Sequence, residues 1–195
     1  DLPGREITIE TPDKANAVYL AGLNLAIKDG DADFAPLVMA NFILGGGSLA
    51  SRLGDRVRQQ EGLSYGIRSG FSAHPIDDRG RLTISAITNP NNQTKLEKAI
   101  SEELNRWIEE GITEEELKRA QQGYLQGQQL QRSNDRVLTG LIGSTLFAGR
   151  TLDYYADLEK AIGRLYPEAV NETVRKRISS NKLIQVFAGD VGAKE

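Results

Sequence analysis

The chain has 195 residues, of which 39% are hydrophobic and 26% charged, with a net charge of -3 and a pI near 5.4. This length suits one well-buried core, and the lack of a basic surplus excludes a phosphate-neutralising surface of the kind that nucleic-acid-binding proteins use. Cysteine is absent and His74 is the only histidine, which excludes thiol catalysis, disulfides, thiolate metal sites and two-histidine zinc sites.

The opening stretch, DLPGREITIETPDKANA, has neither an initiator methionine nor a signal-peptide pattern. We therefore interpret residues 1–195 as one domain cut from a longer polypeptide, with a processed mature chain as the alternative. No apolar run approaches the roughly 18 residues that a membrane helix needs. The absence of cysteine is compatible with the cytoplasm and with the periplasm.

The first third of the chain predicts two strands and then two helices. REITIE, at residues 5–10, alternates weakly and predicts a short edge strand, and NAVYLAGLNL predicts a buried strand. FAPLVMANFIL predicts a helix that the glycines at 45–47 end. Ser48 is placed to cap the next helix, and Gly62 to end it in the left-handed region. The apolar stripe of this second helix consists of Leu49, Leu53 and Val57.

From Leu63 onward the apolar period changes to two, and residues 63–88 predict a β-hairpin with HPIDDRG at its turn. Strict alternation places two sets of side chains on opposite faces of its first strand. One face carries Leu63, Tyr65, Ile67, Phe71 and Ala73, and the other carries Ser64, Gly66, Arg68 and Ser72.

The remainder predicts mainly helices. A helix with an apolar stripe from Leu96 to Ile108 ends before Gly111, and Thr113 and Glu116 predict a capping box for the next helix. Further helices follow, and KLIQVFAGD predicts a closing buried strand. This order predicts an α+β fold, with a mostly antiparallel sheet and several helices packed on one face.

Three motifs have ordinary structural interpretations. LGGGS lacks the spacing of a phosphate-binding loop and predicts a turn between helices. The acidic residues around Glu114 suit a helix start and predict a solvated face. His74 precedes a proline in the hairpin turn, where an exposed, non-functional imidazole is expected.

Arg58 and Tyr65 lie seven residues apart across the junction between the second helix and the hairpin. Composition alone favours a surface cation and a half-buried strand residue. However, N-x-I-L-G-G-G-x-x-x-S-R-L at residues 41–53 and V-R-Q-Q-E-G-L-S-Y-G at 57–66 resemble the signature of C-terminal-type domains of the M16 (insulinase/pitrilysin) zinc metallopeptidases, of the bacterial processing-peptidase kind. The resemblance extends in outline over the whole chain, including GITEEELKRAQQGYL and VFAGD.

This resemblance implies a LuxS/MPP-like metallohydrolase domain that forms part of a clamshell around a peptide chamber. In the family, an N-terminal-type domain holds zinc through HxxEH and a distant Glu, while the C-terminal-type domain contributes an Arg and a Tyr. Those positions correspond here to Arg58 and Tyr65. No zinc motif is present in this chain, so zinc is expected in a missing N-terminal-type domain or partner subunit, and the chain alone is expected to be inactive.

The family chemistry implies a role for each site residue. Tyr65 would donate a hydrogen bond to the oxyanion that forms from the peptide carbonyl, and Arg58 would bind substrate carbonyls or orient the tyrosine. Gly62 and Gly66 would let the peptide approach closely. Two further hypotheses are a non-catalytic subunit that pairs with a zinc-bearing partner and an unrelated α+β binding domain.

Overall fold

A computed structural model describes residues 3–47 and 50–192. Ser48 and Leu49, which the sequence assigned as a helix cap and as part of an apolar stripe, lie outside the described residues. Within the described ranges, no helix combines the length and the apolar character that are needed to cross a membrane.

The described strands form one five-stranded sheet in the order β1-β5-β2-β4-β3. The β1–β5 pair is parallel and the other neighbouring pairs are antiparallel, which confirms the predicted α+β fold with a mostly antiparallel sheet. The predicted edge strand at residues 5–10 is indeed an edge. The strand bounds are β1 Arg5–Glu10, β2 Ala17–Leu25, β3 Ser64–Ala73, β4 Gly80–Thr88 and β5 Ile184–Gly189.

Helices cover one face of this sheet. Two of the helical segments have the wider turns of a π-helix: Phe42–Gly46, which continues α1, and Gly54–Gln60, which we call the Arg58 helix. The α-helices are α1 Phe34–Asn41, α2 Gln93–Glu109, α3 Glu114–Arg132, α4 Asp135–Phe147, α5 Asp153–Gly163 and α6 Pro167–Arg177.

The sheet has one covered and one open face. Along β2, Ala17, Tyr19 and Ala21 are at most 1% exposed, whereas Val18 and Leu20 are 48% and 49% exposed. The predicted buried strand is thus buried on one face and open on the other. The core that the covered face shares with the helices runs along the chain from Ala17 to Phe187.

The helix ends within the predicted glycine triplet, at Gly46, with Gly47 as its cap. A Cβ atom on Gly45 would lie 2.6 Å from the backbone nitrogen of Ser69 in β3. The hydroxyl of Ser69 in turn donates a hydrogen bond of 2.8 Å to Oδ1 of Asn41. Gly45 thus allows the helix to lie directly against the strand, because any side chain would push the two apart.

Candidate functional site

Arg58 lies near the end of a helix that is anchored from its buried side. Leu53 and Val57 are fully buried against the core, and this places Arg58 on the exposed side of the same helix. Among the described residues, no side-chain hydrogen bond or ion pair involves the Arg58 guanidinium. Its donors are therefore available to a bound molecule.

Arg52, at the start of this helical stretch, fixes the helix to its neighbours. Its guanidinium donates hydrogen bonds of 2.7 Å and 2.9 Å to the two carboxylate oxygens of Glu116 and one of 2.7 Å to the carbonyl of Gly111. Burial tends to raise the pKa of Glu116, but the hydrogen bonds from Arg52 and Thr113 outweigh that effect, and the net pKa is lowered. The bidentate pair thus holds one end of the Arg58 helix in place.

The connection from this helix into β3 is a tight turn. Gly62 has a φ of +62°, and the N–H of Leu63 donates a hydrogen bond of 2.9 Å to the carbonyl of Val57. The predicted left-handed glycine is confirmed, since a residue with a side chain is strained in this region. The turn brings the chain from the helix into the sheet within a few residues of Arg58.

Tyr65 occupies a β-bulge at the start of β3. Ser64 pairs with Thr88 and Gly66 pairs with Ile87, so Tyr65 is an extra residue that has no position of its own opposite β4. Its side chain is 84% exposed, whereas Ser64 is 6% exposed. The predicted strict alternation is therefore wrong at this point, because one inserted residue turns Ser64 inward and Tyr65 outward.

Two hydroxyl groups bind the backbone around the bulge. The Ser64 hydroxyl lies 2.7 Å from the carbonyl oxygen of Ile87 and 2.9 Å from that of Gly66, and it accepts a hydrogen bond of 3.1 Å from the Gly66 N–H. The Thr88 hydroxyl donates a hydrogen bond of 2.5 Å to the carbonyl of Leu63. Sequence reasoning missed Ser64 and Thr88 as contributors, since unbroken alternation along the strand predicts no bulge for them to hold.

Gly66 opens onto the uncovered face of the sheet. A Cβ atom there would meet no atom within 4 Å. The residue borders a shallow groove of about 400 Å³, whose lining is mainly apolar and includes the exposed Arg68. The groove is lined by Val18, Gly66, Ile67, Arg68, Ser85, Ala86 and Ile87.

The predicted site residues Arg58, Gly62, Tyr65 and Gly66 are each exposed, and they follow one another from the end of the Arg58 helix into the start of β3. Within the described residues, no hydrogen bond joins the guanidinium of Arg58 to the phenol of Tyr65. The guanidinium and the phenol can therefore each donate hydrogen bonds to another molecule.

The described part of the chain does not fit a zinc ion. It contains no cluster of three or more His, Cys, Asp or Glu residues with metal-binding geometry. The Nδ1 atom of His74 already accepts backbone hydrogen bonds of 3.2 Å from Ile76 and 2.9 Å from Asp77. We derive no metal site from these residues.

Comparison with known proteins identifies related chains of greater length. A family model described as the peptidase M16 inactive domain matches residues 1–124. The "Non-peptidase homolog YmxG" of Helicobacter pylori is 28% identical over 173 residues, which is 88% of this chain and 39% of that protein. The "Uncharacterized zinc protease YmxG" of Bacillus subtilis is 37% identical over 86 residues, 44% of this chain and 20% of that protein.

A solved structure supports the same relationship. The crystal structure of a peptidase M16 inactive domain from Pseudomonas fluorescens has a TM-score of 0.85 and 26% identity, and the match covers 98% of this chain and 44% of that one. The chain therefore spans less than half the length of each of these relatives.

Proposed function

The chain belongs to the peptidase M16 family as a C-terminal-type, inactive domain, and from that premise we propose that it is the substrate-binding half of a zinc-dependent endopeptidase. The observation that carries the proposal is the outward-facing Tyr65 on one segment with Arg58, whose guanidinium has no partner among the described residues. Without the β-bulge, regular pairing would place Tyr65 opposite the buried Thr88, so the bulge is what exposes the phenol. An exposed phenol and guanidinium on one short segment suit the recognition of a polar group on another molecule.

Zinc in the other half, bound by an HxxEH motif, would supply the Lewis acid and the activated water of the reaction. In this half, the Tyr65 hydroxyl would donate a hydrogen bond to the substrate carbonyl oxygen as negative charge develops there. Such a bond strengthens toward the transition state, and it therefore raises the rate of the chemical step.

Arg58 and the glycines would position the peptide. The Arg58 guanidinium offers several donors in a fixed plane, which suits substrate backbone carbonyls or the orientation of the Tyr65 hydroxyl. Gly66 leaves the open face free of side-chain bulk at this point, and Gly62 keeps the turn short. Both features would let an extended peptide approach the backbone.

Two observations support a missing half. The chain spans 44% of the matching Pseudomonas fluorescens chain and 39% of the Helicobacter pylori relative. The open face of the sheet also exposes apolar side chains, including Val18, Leu20 and Ile87. We infer that residues 1–195 form a single domain whose open face, outside the groove beside Gly66, meets an N-terminal-type M16 domain, either of the same polypeptide or of a partner subunit.

The test is the replacement of Tyr65 in the complete peptidase, formed by joining or mixing this chain with the zinc-bearing half. Tyr65→Phe is expected to lower turnover of a peptide substrate by about 10- to 1000-fold, as the loss of one oxyanion donor typically does. The zinc content should not change, because no residue of this segment is proposed to contact the metal.

Tyr166→Phe is the matched control, since Tyr166 is also exposed, at 60%, but lies before α6. The control should retain the parental rate. A Tyr65→Phe enzyme that cleaves peptides at the parental rate would contradict the catalytic role.

A second candidate function is a non-catalytic subunit that holds substrate or supports a zinc-bearing partner. The name of the Helicobacter pylori relative, a non-peptidase homolog, favours it. The two functions differ in the assembled protein: a peptidase cleaves peptides and loses that activity to a chelator, whereas a structural subunit binds its partner without cleavage.

A further inference from the structure

The direction of Tyr65 depends on which residue faces Thr88. From Ile67 opposite Ala86, regular pairing would continue with Gly66 opposite Ile87 and then Tyr65 opposite Thr88. Thr88 is fully buried, so its regular partner would point to the covered face of the sheet. Instead, Ser64 takes this position and Tyr65 is displaced outward. The exposed phenol is thus a consequence of the bulge.

A bulge interrupts the backbone hydrogen bonds of the ladder, and the buried groups that it leaves need other partners. Ser64 supplies them from inside the bulge. Its hydroxyl accepts the Gly66 N–H at 3.1 Å and lies 2.7 Å from the Ile87 carbonyl oxygen, and it thereby links the residue after Tyr65 to the opposite strand. Alanine at this position would leave both groups without that partner.

We propose that Ser64 is a positioning residue, whose buried hydroxyl holds the bulge and so keeps the Tyr65 phenol turned outward. This inference rests on the proposed catalytic role of Tyr65 and adds the residue that supports it. Ser64 does not touch the substrate, since its side chain is covered. Threonine can replace it in function, because threonine keeps the hydroxyl and suits a strand.

The first test measures the bulge directly, by amide hydrogen exchange of the 195-residue chain. Ser64→Ala is expected to raise the exchange rate of the Gly66 amide at least about tenfold, because the hydrogen bond from that amide is lost. Ser64→Thr should restore the parental rate. The matched control is Ser72→Ala, at an exposed serine of the same strand, and it should leave Gly66 unchanged.

The second test measures the consequence for catalysis in the complete peptidase. Ser64→Ala is expected to lower kcat by about 10- to 100-fold with little change in KM, since a misplaced donor loses transition-state contacts. In a Tyr65→Phe background, Ser64→Ala should lower kcat by less than about twofold, because both substitutions act on the same interaction and Tyr65→Phe has already removed it. Ser64→Thr should recover most of kcat.

The two tests separate the possible failures. A folded Ser64→Ala chain with an unchanged Gly66 exchange rate would overturn the positioning role, as would equal kcat losses in the parental and Tyr65→Phe backgrounds. If Ser64→Ala speeds Gly66 exchange but Tyr65→Phe leaves the rate of peptide cleavage unchanged, Ser64 holds the bulge and the proposed function is rejected. If Ser64→Ala does not fold, Ser64→Cys replaces the hydroxyl by a thiol, a much weaker hydrogen-bonding group, and a kcat loss that disappears in the Tyr65→Phe background is again expected. A Ser64→Cys enzyme with the parental kcat would overturn the positioning role.

Discussion

At Gly45 and Tyr65, the space around a single residue determines which size of side chain the position accommodates. Gly45 is buried against β3, where an added Cβ atom would meet the Ser69 nitrogen at 2.6 Å and the Ser69 hydroxyl at 2.7 Å. Tyr65, at the start of the same strand, is almost fully exposed. A small residue is required at the first position for packing, whereas the large residue at the second contributes little to the core.

Gly45→Ala is expected to lower the free energy of unfolding by about 1–3 kcal/mol, the usual cost of overpacking a close contact. Denaturant unfolding of the purified chain measures this change. Gly143→Ala is the control, because a Cβ atom in that exposed helical position meets nothing within 4 Å. Alanine there should stabilise the protein by about 0.5–1 kcal/mol. A Gly45→Ala chain of parental stability would show that the helix can shift away from β3 without cost.

At the scale of elements, the start of α3 stabilises the helix that carries Arg58. Thr113 and Glu116 form the predicted capping box, with hydrogen bonds of 2.8 Å and 3.2 Å. The same Glu116 carboxylate accepts two of the three hydrogen bonds that Arg52 donates. One side chain thus caps the start of α3 and ties α3 to the candidate site.

Glu116→Gln is expected to make the chain less stable at pH 7, by about 1–3 kcal/mol, because the charge-assisted bonds to Arg52 are weakened. Glutamine can keep the capping hydrogen bond through its amide oxygen. Its amide nitrogen cannot accept, so the change removes one acceptor of an Arg52 hydrogen bond together with the charge. The pKa of Glu116 is lowered in the folded state, where the hydrogen bonds from Arg52 and Thr113 outweigh the larger single effect of burial. The stabilisation is therefore complete above the unfolded pKa of about 4.3 and is lost as the pH falls through the folded pKa.

Urea unfolding at a series of pH values tests this dependence. The difference between the parental chain and Glu116→Gln should shrink as the pH falls from about 6 toward 3. Glu114→Gln, in the same first turn but exposed, should differ little from the parent throughout. A difference for Glu116→Gln that does not vary with pH would show that its charge does not stabilise the fold.

At the scale of the whole molecule, the sheet leaves one face uncovered. Apolar side chains from four neighbouring strands are exposed on it: Ile9, Val18, Leu20, Ile87 and Ile184, each between 37% and 49%. The register brings Val18 beside both Ile87 and Ala188, so these residues form a continuous apolar surface. Such a surface suits a contact with another domain.

If the proposed zinc-bearing half contacts this surface, Leu20→Lys is expected to weaken association with it by at least about tenfold, because a charge would be desolvated in the contact. The stability of the chain alone should change by less than about 1 kcal/mol, since Leu20 is already half exposed. Leu130→Lys serves as the control, at a leucine that is 74% exposed on α3. Equal affinities for the parent and Leu20→Lys would place the contact elsewhere on the surface.

Features that depend on residues close together in the chain were predictable from the sequence. They include the helical stripes, the hairpin at 63–88, the capping box of Thr113 and the left-handed Gly62. The positions of Arg58 and Tyr65 were singled out by a resemblance and not by local chemistry. The bulge at Tyr65 was not predictable, since alternation alone favours an unbroken strand. The role of Gly45 was also missed, because its neighbour Ser69 lies far along the chain.

The sequence by itself determined the α+β class, the family and the absence of cysteine and histidine clusters. The class follows from the periodicity of the apolar residues and the absence from composition, whereas the family follows from the resemblance of the motifs at 41–53 and 57–66. Only the tertiary structure decided that Tyr65 points outward, that one face of β2 is open and that Glu116 joins α3 to the Arg58 helix. Each of these depends on pairing between distant segments, where the register of two strands or the space between two elements determines the direction of a side chain.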